Sequence, residues 1–127
     1  VSLEWLFQKG IVCKIQYSIM LKELRFTVML SPEQKDRLRV TAFKEKGKII
    51  KFVTQYEASI KGEWRNIARY DTAHGFAHKD LIHPNGTADK QPLPFTDFNM
   101  AFNFAIQELK VSWKWYRIAY EKELKSD

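Results

Sequence analysis

The last thirty residues constrain this chain more than any other stretch. Phe98, Phe102, Ile106, Leu109, Trp113, Tyr116, Tyr120 and Leu124 recur at three- and four-residue spacing, which predicts one continuous apolar face on an α-helix. Pro92 and Pro94 end whatever precedes it, and Thr96 stands where a cap for a helix starting at Asp97 is expected. A helix running to Leu124 would be about 40 Å long. A second apolar stripe lies on the opposite side: Met100, Phe104, Val111, Trp115 and Ile118. Asn99, Asn103, Gln107, Lys110, Lys114, Arg117, Glu121 and Lys125 form the polar face between them. One stripe needs a sheet to cover. The other needs a second cover, supplied by an N-terminal hairpin or by another copy of the chain.

The sheet is legible upstream. Leu38 to Lys44 alternates as a strand, Lys46-Gly47-Lys48 turns, and Ile50 to Ile60 alternates again. On that second strand Ile50, Phe52, Tyr56, Ala58 and Ile60 are expected on the core face. Lys61-Gly62 leads into Trp64 to Asp71, with Trp64, Ala68 and Tyr70 on one face and Arg65, Arg69 and Asp71 on the other. Phe76 to His83 reads as a fourth strand, and Pro84-Asn85-Gly86 turns into a short return over Thr87 to Lys90. Ser31-Pro32-Glu33-Gln34 has the form of a helix start of one or two turns. The expected fold class is α+β: an antiparallel β-meander of four to five strands covered by one long C-terminal α-helix. The length of 127 residues suits a single domain. Ile11 to Ile19 also alternates, and Met20 and Met29 are both candidate starts. Residues 1–28 are therefore expected to be either a separate N-terminal hairpin or non-native, and dispensable in either case.

Composition excludes several classes. Hydrophobic content of 45% argues against disorder, and nine Phe, five Tyr and four Trp supply a core. Cys13 is the only cysteine, so no internal disulfide forms, and a reducing cytoplasm is the expected compartment. No stretch is long and apolar enough to span a bilayer, so no membrane partner is expected. Five glycines form no phosphate loop, and no nucleophile elbow is present. No cofactor is implied.

The net charge of +6 is concentrated in residues 31–71, which carry ten basic and six acidic groups. A basic stripe on a sheet can be a nucleic-acid footprint, or it can be a solvated surface that blocks edge aggregation. Arg39, Lys51, Arg65 and Lys79 are the candidate contacts for RNA, with Arg39, Lys51, Arg65 and Arg69 expected on the open sheet face.

All three histidines lie between Arg69 and His83. His78 and His83 are five apart, so a regular strand places them on opposite faces, and the spacing matches no zinc pattern. A metal arrangement would have to use His74 and His78 with Asp71 or Asp80; the expectation is no metal. A metal-free acid–base site fits the residue types better. Cleaving a phosphodiester needs a base, an acid and cations for the developing charge. Arg69, Asp71, His74 and His78 are the candidate catalytic residues, with Lys79 helping Arg69 on the phosphate. The competing reading is an ion pair between Arg69 and Asp71 beside ordinary loop and strand histidines.

The segment Arg69-Tyr70-Asp71, followed by a short turn, His74 and His78 with its basic neighbour Lys79, resembles TumE-type toxins of toxin–antitoxin modules, or a related uncharacterised prokaryotic family. The resemblance spans residues 50–90. The chain departs from it in lacking a dense histidine cluster after the turn and in its longer helix. The resemblance implies a toxin acting on RNA or on translation and countered by an antitoxin protein, with individual residue roles open. The expected function is RNA engagement by a toxin-like protein acting as a metal-independent ribonuclease; the alternative is a non-catalytic binding protein. Under either, the second helix stripe predicts a homodimer.

Overall fold

A computed structural model of the chain describes residues 21–126. The strand expected over Ile11 to Ile19 lies outside them. Six strands form one antiparallel sheet in sequence order: β1 (Leu21–Met29), β2 (Asp36–Glu45), β3 (Lys48–Ile60), β4 (Glu63–Asp71), β5 (His78–Ile82) and β6 (Ala88–Pro92). One α-helix among the described residues, α1 (Phe98–Ser126), follows the sheet. The α+β meander is as the sequence predicts, with six strands where four to five were expected. The additional strand is β1, which pairs with β2 along its whole length. Leu24 and Val28 pack against the core, so residues 21–28 are part of the sheet.

Turn chemistry explains the connections. Lys46 and Gly47, then Lys61 and Gly62, all adopt positive φ, the requirement of a two-residue hairpin whose twist matches its strands. Ser31–Gln34 is a turn and not a helix. Gln34 is left-handed, and Ser31 Oγ accepts the Lys35 backbone N–H at 3.1 Å, which closes the loop into β2. At the start of α1 the cap is Asp97, one residue beyond the expected Thr96. Asp97 Oδ1 accepts the Asn99 N–H at 2.8 Å.

The core lies between one sheet face and α1. Leu38, Val40, Ala42, Phe52, Tyr56, Ala68 and Tyr70 from the strands meet Ala101, Phe102, Ala105, Leu109 and Tyr120 from the helix, all buried. Phe52 and Phe102 meet edge to face with centroids 5.4 Å apart. Arg117 fixes the far end of the helix: it donates to Asp36 Oδ1 at 2.7 Å and to the Ser59 carbonyl at 3.1 Å. Tyr56 donates to the same Asp36 carboxylate at 2.5 Å, and burial first, then Asp36, raises its pKa.

Two bulges change which residues share a face. Ile50 is passed over between β2 and β3, so Ile49 takes the buried position. Ile67 is the extra residue of β4 opposite Tyr56 and Glu57. It reverses the faces of the first half of β4. Trp64 therefore lies away from the helix, and Arg65 turns toward it, with Nη1 3.4 Å from the Tyr120 hydroxyl. Among the described residues no helix is long and apolar enough to cross a membrane.

Candidate functional site

Among the described residues α1 covers one face of the sheet, and functional side chains gather on the other. Antiparallel sheets commonly bury one face and hydrate the other, so what is buried on the second face is informative. Register decides the cluster. Asp71 stands opposite His78 and Arg69 opposite Asp80, so all four side chains point to one side of β4 and β5. Arg69 bridges the two carboxylates: Nε lies 3.0 Å from Asp71 Oδ2, and Nη2 lies 3.1 Å from Asp80 Oδ2. The inner oxygens face His78, whose Nε2 lies 2.9 Å from Asp71 Oδ1 and 3.8 Å from Asp80 Oδ1. His78 Nδ1 lies 3.4 Å from the Phe76 carbonyl.

This cluster is closed off from solvent although α1 covers the opposite face of the sheet. The side chains of Asp71, His78 and Asp80 are 8%, 6% and 1% exposed. Asp71 Oδ1 also accepts the Ala73 N–H at 3.0 Å, which anchors the turn that follows β4. A cleft of about 320 Å³ is lined by Thr41, Phe43, Lys51, Val53, Asp71 and Thr72.

The structure thus unites three of the four residues expected to be catalytic. Arg69, Asp71 and His78 converge, whereas His74 occupies the exposed turn at positive φ, its ring centroid 6.3 Å from that of His78. His78 is buried with both ring nitrogens facing protein groups. Asp80 joins through the register, an inference open to anyone who pairs β4 with β5 around a six-residue connection.

Of the four expected RNA contacts, Arg39 and Lys51 are exposed on the face away from the helix. Arg65 and Lys79 are not on that face. Arg65 is displaced by the Ile67 bulge. Lys79 alternates with His78 and Asp80, so it points to α1, where Nζ meets Glu108 at 3.0 Å and the Tyr116 hydroxyl. The Tyr70 and Tyr116 ring centroids lie 5.5 and 4.6 Å from the same ammonium, and burial first raises the pKa of each tyrosine.

Beyond Arg39 and Lys51 the face carries Arg37, from the same basic segment, and two aromatic rings not expected there. The Arg37 guanidinium lies 3.8 Å from the centroid of the Trp64 ring, and Lys51 Nζ lies 4.4 Å from that of Phe43. Arg37 and Arg39 share one carboxylate, Glu57, at 2.8 and 3.5 Å. Two guanidiniums on one acid leave a positive excess at the surface. Alternation along β2 would have found Arg37 and Phe43; Trp64 required knowledge of the bulge.

Fold and site together define a small α+β protein with a six-stranded open sheet, a helix on one face, and a buried His–Asp–Asp–Arg cluster beside a basic, aromatic surface on the other. The chain belongs to the family of the domain of unknown function DUF7718, which matches residues 20–126. No curated protein and no solved structure matches it.

Proposed function

We propose that this protein binds single-stranded RNA across the sheet face opposite α1. The supporting observation is the pairing of cations with aromatic rings at both ends of one row: Arg37 with Trp64, then Arg39, then Lys51 with Phe43. Rings with accessible faces accept bases by stacking, and neighbouring cations hold the phosphates. Arg37 to Phe43 spans about 20 Å of strand, room for about three nucleotides. Such a surface suits a toxin-like protein that acts on RNA and is silenced by an antitoxin covering the same face. Binding is the reading; cleavage by His74 and His78 is not part of it, since His78 is enclosed and Lys79 lies across the sheet.

Anisotropy with a labelled single-stranded RNA tests this. Three phosphate contacts, one each for Arg37, Arg39 and Lys51, give a slope of log K against log[salt] of about −2, at about −0.7 per phosphate. Arg39→Ala and Lys51→Ala should each flatten it, and Trp64→Ala should weaken binding with the slope kept. Absence of binding at about 50 mM salt removes the proposal.

A second proposal rests on a separate observation: self-association through α1. Val111, Trp115 and Ile118 are 77%, 72% and 56% exposed along one side of the helix.

A further inference from the structure

The geometry points to a divalent-metal site formed by Asp71 Oδ1, His78 Nε2 and Asp80 Oδ1, for a transition ion of the zinc or manganese kind. One ligand atom from each of the three residues lies within 4.8 Å of the other two, and all three residues are buried. Bonds of about 2.1 Å at tetrahedral or octahedral angles separate adjacent donor atoms by about 3.0–3.4 Å. The observed separations from His78 Nε2, 2.9 Å and 3.8 Å, bracket that range.

Two features select an ion over a closed hydrogen-bond network. First, Asp80 Oδ1 is buried and has no hydrogen-bond partner, although its side chain is only 1% exposed. A buried carboxylate oxygen without a donor is costly, and such an atom calls for a water or an ion. A proton on His78 Nε2 would satisfy Asp71 at 2.9 Å but not Asp80 at 3.8 Å; an ion between the three satisfies both. Second, the surroundings already have the form of an outer shell. A Nδ1–H donating to the Phe76 carbonyl leaves the Nε2 lone pair for the ion. Arg69 holds the outer oxygens of both aspartates and leaves the inner ones facing His78.

The charges agree. Two carboxylates and one guanidinium leave a net −1 that a divalent ion more than offsets. One imidazole and two carboxylates suit Zn²⁺ or Mn²⁺ better than Mg²⁺ or Ca²⁺, which take oxygen alone. Three protein donors leave coordination positions for water, and Asp71 also borders the cleft beside Lys51. On sequence a metal is set aside because His78 and His83 fall on opposite faces of a strand and the spacing matches no zinc pattern; the ligands seen here come from two strands and are joined by register.

Calorimetry of the chelator-stripped full chain with Zn²⁺ and with Mn²⁺, without RNA, tests the site independently of RNA binding. One ion per chain is expected, with a raised melting temperature. His78→Gln and the isosteric Asp80→Asn should each lower affinity by at least about tenfold. His83→Gln should leave it unchanged. If the variants fail to fold, ¹⁵N spectra of the wild-type histidines decide: the ion should shift the Nε2 resonance of a single histidine with a protonated Nδ1. Absence of binding of either ion, or binding lost with His83→Gln and kept in Asp80→Asn, overturns the site.

Discussion

Asp71 on β4 and His78 on β5 stand opposite each other, with Asp71 Oδ1 2.9 Å from His78 Nε2, and Arg69 holds the other oxygen of the same carboxylate. This arrangement makes Arg69 the member of the cluster whose loss is felt most. Arg69→Ala would leave two buried carboxylates without their shared cation. Breaking a buried pair costs more than the pair contributes, so a loss of about 2–4 kcal/mol is expected. Arg69→Lys, which cannot reach both acids with a rigid fork, should fall between. Urea unfolding with an unchanged m-value measures it; an Arg69→Ala variant as stable as the wild type would mean that the bridge is not formed in solution.

Lys79 and Lys51 separate structure from binding. Lys79 joins β5 to α1 through Glu108 and Tyr116, whereas Lys51 projects over Phe43 on the outer face. Lys79→Ala should lower stability by about 1–3 kcal/mol and leave RNA affinity unchanged. Lys51→Ala should weaken RNA binding and leave the melting temperature in place. A reversed pattern would show that RNA uses the helix side.

How much of this was legible depends on how local each signal is. The stripe from Phe98 to Leu124 announces its helix because each contact recurs within four residues. The Lys-Gly turns mark two hairpins for the same reason. In β1, Leu24, Phe26 and Val28 alternate as a strand should, but the candidate starts Met20 and Met29 drew residues 1–28 out of the expected fold. The Ile67 bulge shifts alternation by one residue and sends Arg65 and Trp64 to opposite faces from those expected. On sequence Asp80 is a candidate only as an alternative to Asp71, and pairing β4 with β5 brings both to His78 together. Most of what failed was non-local, register and face, while the turn at Ser31–Gln34 is a local exception, its helix-like start closed off by a left-handed Gln34.

His83 should act as a pH-sensitive tether. It lies between Glu123 of α1, at 2.9 Å, and Asp89 of β6, at 2.8 Å. Hydrogen bonds to Glu123 and then Asp89 raise its pKa above the ordinary 6.5. A raised value means that the folded state favours the imidazolium. The stabilisation is complete below about 6.5 and is lost as pH rises through the higher folded value. An NMR titration should give a His83 midpoint above 6.5 that returns toward it in Glu123→Gln and at high salt. A midpoint indifferent to Glu123 would show that the tether is absent.

The helix stripe makes the last prediction. Phe104 is partly satisfied, since its ring meets Tyr70 at 6.1 Å and Phe95 at 5.2 Å. Val111, Trp115 and Ile118 are exposed among the described residues, and they recur on one side over about two turns. A patch of this kind is self-complementary when two copies meet antiparallel about a two-fold axis, because each Trp115 then lies against the stripe of its mate. Burying one such side chain fully contributes about 1.5–3 kcal/mol before the entropy of association is subtracted. The dimer should therefore be present at micromolar concentration and be little affected by salt, unlike RNA binding on the opposite side. Trp115→Glu would place a carboxylate in the apolar seam and should yield a monomer with unchanged RNA affinity per chain. Sedimentation equilibrium decides: a wild-type species of 15.0 kDa at all micromolar concentrations would rule out self-association through this face.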